Sequence, residues 1–125
     1  MVNTIYFLDT YALIEIIHGN ENYIFLNEKV GFITTKLNLF ELYYYCLRIY
    51  DENTAENYFE KFISYVLVYE NEIIFKEAAK MKFKHKKAKL SLVDCIGYII
   101  AKQNNILFVT GDKEFEKMPN VKFVK

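Results

Sequence analysis

The sequence predicts an α/β fold: a three-layer α/β/α sandwich around a central, mainly parallel sheet of four to five strands. Two observations predict it. Short apolar runs recur at Ile5–Leu8, Gly31–Thr34, Val66–Val68, Ile106–Val109 and Val121–Val124, each too short for a helix. Between them stand longer stretches with apolar residues at helical spacing, an alternation that describes strands covered on both faces by helices. The middle departs from strict alternation, because two helices follow one another between Leu37 and Tyr65.

In chain order, Ile5-Tyr6-Phe7-Leu8 ends at Asp9-Thr10, where the pattern turns helical to about His18 and Gly19-Asn20 stops it. A second short helix is predicted from Glu21 to Lys29. After the strand Gly31–Thr34, the stretch Leu37 to Tyr50 carries Leu37, Phe40, Tyr44 and Leu47 at helical spacing, with Leu39 and Leu42 nearby. Thr54, with Asn57 three residues on, predicts the cap of a helix reaching about Tyr65. Glu72 to Lys87 reads as a helix with Ile73, Ala79, Met81 and Phe83 among its apolar positions. Ser91 opens another, holding Val93, Ile96, Ile99 and Ile100 before Asn104-Asn105.

A length of 125 residues fits one domain, 1–125, and 53% hydrophobic residues can fill a sizeable core. Four glycines and one proline exclude fibrous repeats. Eleven Tyr and eleven Phe are more rings than a core of this size needs, so some are expected on a surface that meets a partner. Cys46 and Cys95 lie inside apolar helical patterns and read as small buried hydrophobes in a reducing compartment. Asp9 interrupts the first apolar stretch, and no run approaches the roughly 20 residues that cross a bilayer. The expectation is a cytoplasmic protein without membrane contact. Net charge is zero, yet Lys80, Lys82, Lys84, His85, Lys86, Lys87 and Lys89 form a basic run. That run reads either as a solvated helix face or as a surface for nucleic-acid phosphates, with Lys84, Lys86 and Lys87 the candidates.

Four carboxylates carry the chemical signal. Asp9 follows the first strand and Asp112 the fourth, through Thr110-Gly111. Glu41 lies in the first turns of the helix after the second strand. Asp94 lies in the first turn of a helix that must begin at the edge where strands end. Open α/β sheets bind ligands beyond the carboxyl ends of their strands, so the topology gathers all four at one rim. Clustered carboxylates are tolerable when cations or protons neutralise them. No His or Cys stands at ligand spacing, and an all-oxygen set suits Mg²⁺ or Mn²⁺, the equipment of metal-assisted phosphodiester hydrolysis. Each residue also has a structural reading. Asp9 and Asp112 can cap the helices they precede, Ser91 to Asp94 matches a capping box, and Glu41 can pair with Arg48.

The ordered set of motifs resembles the PIN-domain family. Phe7-Leu8-Asp9-Thr10 is similar to its opening strand and Asp, and Glu41 follows the second strand as its helix Glu does. Ser91-Leu92-Val93-Asp94 and Val109-Thr110-Gly111-Asp112-Lys113-Glu114-Phe115 supply the remaining two, so the likeness spans nearly the whole chain. The resemblance implies a PIN-like sandwich and a Mg²⁺- or Mn²⁺-dependent ribonuclease leaving 5′-phosphate and 3′-hydroxyl ends. Asp9, Asp94 and Asp112 would be the principal metal ligands, Glu41 would complete the catalytic set, and the hydroxyls of Thr10 and Thr110 would orient carboxylates. Small members resemble VapC toxins, which implies an RNA substrate, a cognate antitoxin and a homodimer. Gly111 stands where the family often carries a larger residue, and a glycine there is expected to loosen the loop before Asp112.

Other classes fit less well. A haloacid-dehalogenase-like phosphatase needs a second Asp two residues after the first, where this chain has Tyr11. Neither phosphate-binding glycine motif is present. A housekeeping RNA-processing nuclease and an inactive PIN-like binding module remain as alternatives.

Overall fold

The computed structural model describes residues 4–26, 30–66 and 71–125. Its elements are β1 (Thr4–Leu8), α1 (Thr10–Ile17), β2 (Val30–Ile33), α2 (Lys36–Ile49), α3 (Glu52–Phe62), α4 (Glu72–Lys84), α5 (Leu92–Gln103), β3 (Leu107–Thr110) and β4 (Val121–Phe123). The four strands run parallel in the order β2-β1-β3-β4, with Phe7 opposite Ile33 on one side and Phe108 on the other. Side chains alternate across the sheet. Phe7 and Phe108 therefore enter the core beneath α4 and α5, while Leu8 and Val109 enter the core beneath α1, α2 and α3. The result is the three-layer α/β/α sandwich with a parallel sheet.

Glycine matters to this packing at Gly97, in the middle of α5. A Cβ there would come within 2.7 Å of the Phe7 ring and 3.2 Å of the Phe108 ring. Its absence lets the helix backbone settle directly on the central strands.

Several boundaries differ from the sequence expectation. Asp51, not Thr54, caps α3: its carboxylate accepts from the Thr54 N–H at 2.7 Å, the stronger capping type having come first. The predicted helix from Glu21 shrinks to one 3₁₀ turn, Glu21–Tyr23, because this segment is tied to the C-terminus. The Tyr23 hydroxyl donates to the Val124 carbonyl at 2.7 Å and the Asn22 amide to that of Lys125 at 2.9 Å. Residues 27–29 of that expectation lie outside the described residues. Helix α4 stops at Lys84, three residues early, where His85 caps it and accepts from the Ala88 N–H in a turn. Val66 forms a single parallel bridge to Thr34, and the rest of that predicted strand, 67–68, lies outside the described residues. In α2 the buried face is Asn38, Leu39, Leu42 and Cys46, whereas Phe40, Tyr44 and Leu47 point outward. Among the described residues no helix is long and apolar enough to cross a membrane.

Candidate active site

Asp9 leaves the end of β1 in extended conformation and is 2% exposed. Its Oδ1 accepts from the Ala12 N–H at 2.8 Å, so it caps α1 as sequence allowed. Burial pushes its carboxyl up to about 7, the charges of Asp94 and Asp112 add to this, and the Thr110 hydroxyl and Ala12 amide oppose it. The Thr110 oxygen accepts from the Asp112 N–H at 3.0 Å, which leaves its proton free for Asp9.

Asp94 sits half-buried at the start of α5 in a complete capping box. Its Oδ2 accepts from the Ser91 N–H at 3.0 Å, and the Ser91 hydroxyl accepts from the Asp94 N–H at 3.0 Å. Its acidity is weakened by burial and by the charge of Asp112, against the pull of Ser91 and Lys82. Asp112 holds the turn after β3, accepting from the Glu114 N–H at 3.0 Å. Of the neighbouring acids, Glu114 lends that N–H, and Glu116 is exposed.

Glu41 does not pair with Arg48. The guanidinium instead lies over the Tyr44 ring at 5.8 Å, and Lys80–Glu77 is the only ion pair among the described residues. Glu41 Oε1 accepts from the Thr10 hydroxyl at 2.6 Å, and burial raises its carboxyl, with the charge of Asp94 adding to the effect. Behind it runs a chain that sequence reasoning missed. Thr35 donates to Asn38 Oδ1 at 2.6 Å, Asn38 Nδ2 donates to Thr10 Oγ1 at 3.1 Å, and Thr10 donates onward to Glu41. Asn38 and Thr35 are fully buried. A polar residue between Leu37 and Leu39, three before Glu41, was the available signal, since a buried amide needs partners.

The capping readings of Asp9, Asp94 and Asp112 hold, and they occupy only part of each carboxylate. Each of the four carboxylates has one oxygen held by an N–H or hydroxyl donor among the described residues, and the hydroxyls of Thr110 and Ser91 bear on Asp9 and Asp94 as well. Mutual charge effects link Asp9 with Asp94 and Asp112, and Asp94 with Glu41, at the carboxyl ends of β1 and β3. Among the described residues no three acidic, His or Cys side chains are gathered tightly enough to grip an ion as they stand. The donor set is nonetheless all oxygen, partly exposed and short of counter-charge. It fits Mg²⁺ or Mn²⁺, which keep several waters and take few protein ligands.

Gly111 does not loosen the loop before Asp112. It is buried, and a Cβ there would collide with the Tyr11 ring and stand 2.5 Å from the Val124 carbonyl oxygen. The Val124 N–H also donates to the Thr110 carbonyl at 2.9 Å, so the segment carrying Asp112 is clamped on two sides.

Comparison with known proteins agrees with this architecture. A family model described as PIN domain matches residues 6–121. No curated protein matches the chain. Among solved structures, the chain is similar in fold to VapC20 of Mycobacterium tuberculosis, a sarcin-ricin loop cleaving toxin, with TM-score 0.77 and 16% identity over 98% of this chain and 100% of that one. It is also similar to VapBC2 of Rickettsia felis bound to a promoter DNA fragment, with TM-score 0.72 and 17% identity over 98% and 100% of the two chains. A toxin–antitoxin complex from Klebsiella pneumoniae gives TM-score 0.69 and 17% identity over 94% and 95%. The family match takes in Asp9, Glu41, Asp94 and Asp112 and runs from within β1 to the first residue of β4, and the chain belongs to the PIN domain family.

Proposed function

We propose that this protein is a divalent-metal-dependent ribonuclease that hydrolyses RNA phosphodiester bonds in the cytoplasm, and the toxin of a toxin–antitoxin pair. The observation that carries the reading is the rim itself: four carboxylates from distant parts of a PIN chain, each anchored through one oxygen. Asp9, Asp94 and Asp112 would hold Mg²⁺ or Mn²⁺, with Glu41 completing the set. The bound metal would supply an activated water and neutralise charge on the phosphate. The chain's own part is positional. Thr110 joins Asp9 to Asp112, Ser91 fixes Asp94, and the Thr35–Asn38–Thr10 chain holds Glu41.

The toxin reading draws on the neighbours, which include a sarcin-ricin loop cleaving toxin and a toxin–antitoxin complex. The outward stripe of Phe40, Tyr44 and Leu47 beside Glu41 supports an antitoxin seated over the rim, since apolar rings 69% and 61% exposed call for cover. A homodimer belongs to the same reading.

Purified protein with Mn²⁺ or Mg²⁺ should cut structured RNA, and EDTA should stop it. Asp9→Asn and Asp94→Asn should each reduce cutting at least a hundredfold while the circular dichroism spectrum is kept. A variant that still cuts removes its residue from the mechanism.

A further inference from the structure

We propose that the cavity between α4, α5 and the segment 113–119 is a track for the phosphates of a single RNA strand leaving the carboxylate rim, an inference that rests on the ribonuclease reading. The cavity measures about 490 Å³ and is edged by Lys80, Lys84, His85, Lys102 and Lys117. Its one acid, Glu77, is already engaged by Lys80 at 3.4 Å. The basic run along α4 does not account for this grouping, because Lys102 comes from α5 and Lys117 from the segment after Asp112. Three separate stretches of chain bring their cations to one concave surface. Two other lysines of the run are turned elsewhere: Lys82 donates to the Leu90 carbonyl at 2.6 Å, and Lys86 lies over the Phe83 ring at 5.2 Å. Of Lys84, Lys86 and Lys87, only Lys84 lines the cavity.

Two stretches of chain serve both the track and the rim. Asp94 and Lys102 lie on the same helix eight residues apart, about 12 Å at 1.5 Å per residue. At about 3.4 Å of stacked strand per phosphate, that is roughly three or four nucleotides from the bond being cut. Lys117 follows Asp112 by five residues, through a wall fastened where the Tyr98 hydroxyl donates to the Pro119 carbonyl. The partly buried Ile99 supplies an apolar patch at the floor of the cavity, over the buried Tyr98. A chain of zero net charge with an acidic rim repels RNA at the point of cutting, so affinity has to come from a local concentration of cations. An acidic protein segment would be drawn to the same lysines, but two of the three stretches that supply them, α5 and the segment after β3, also carry the rim residues Asp94 and Asp112, which favours RNA.

The test uses a fluorescein-labelled single-stranded RNA of about twelve nucleotides, bound in EDTA so that nothing is cut, over a range of salt. Replacing Lys84, Lys102 and Lys117 together by Gln should flatten the slope of log affinity against log salt by about 2, at about 0.7 per lost phosphate contact. Replacing the same three by Arg should keep the slope. An unchanged slope in the Gln variant overturns the proposal, as would be found if the cavity serves an acidic protein. Equal losses in the Gln and Arg variants overturn it as well, since charge would not be the cause. Hydrolysis of bis(p-nitrophenyl) phosphate with Mn²⁺ reports on the rim alone, and the Gln variant should match the parent there. If Asp9→Asn also hydrolyses it normally, the ribonuclease reading fails, while a flattened slope still establishes the RNA track.

Discussion

Asp9 concentrates the electrostatic tension of the molecule. A carboxyl raised by burial from about 4 unfolded to about 7 folded keeps its proton longer in the folded state. Between those values the unfolded chain binds fewer protons than the folded one, so metal-free stability falls as pH rises through the window. Full ionisation costs of the order of 4 kcal/mol at 1.36 kcal/mol per unit. In EDTA the urea midpoint should therefore be lower at pH 8 than at pH 5. Asp9→Asn should remove most of that dependence and be the more stable protein at pH 8. A parent midpoint that rises from pH 5 to pH 8 would contradict the assignment. Sequence alone exposed the four acids because each sits at a strand end or helix start. It concealed Asn38, whose role depends on Thr10 coming within reach from 28 residues away. It also misjudged Gly111, because the Tyr11 ring and the Val124 carbonyl that require a glycine arrive from opposite ends of the chain. Gly111→Ala should lower stability by about 1–3 kcal/mol, as overpacking of a tight site does, and weaken metal binding by displacing Asp112; calorimetric titration with Mn²⁺ checks the second effect.

At the scale of elements, strands were readable because their runs are short, apolar and ended by Asp9, Thr34 or Thr110. Helix starts were readable where a capping side chain stands alone, as Ser91 does. They were misread where two candidates compete, as Asp51 and Thr54 do. The face of α2 was ambiguous because apolar residues go nearly all the way round it, and only packing on Leu13 and Val109 decides that Leu39, Leu42 and Cys46 turn inward. Helix α5 depends on its close approach at Gly97. Gly97→Val should push it off the Phe7 and Phe108 rings and lower the urea midpoint sharply, whereas Gln103→Ala at its exposed end should leave it within error.

Across the whole molecule, two regions of opposite charge are built from one helix. The N-terminus of α5 carries Asp94 to an acidic rim, and its C-terminal half carries Lys102 to a basic cavity. Zero net charge thus conceals a division of labour that only the fold reveals. The exposed apolar stripe on α2 belongs to the layer of α1, α2 and α3, and the basic cavity to the layer of α4 and α5, on the opposite face of the sheet.

The central claim is that the rim carboxylates share a cation. Anomalous diffraction from crystals soaked in Mn²⁺ tests it most directly. The account predicts a manganese peak within coordination distance of oxygens from Asp9, Asp94 and Asp112. A peak bound elsewhere, or these three side chains with no ion between them at saturating Mn²⁺, would contradict it.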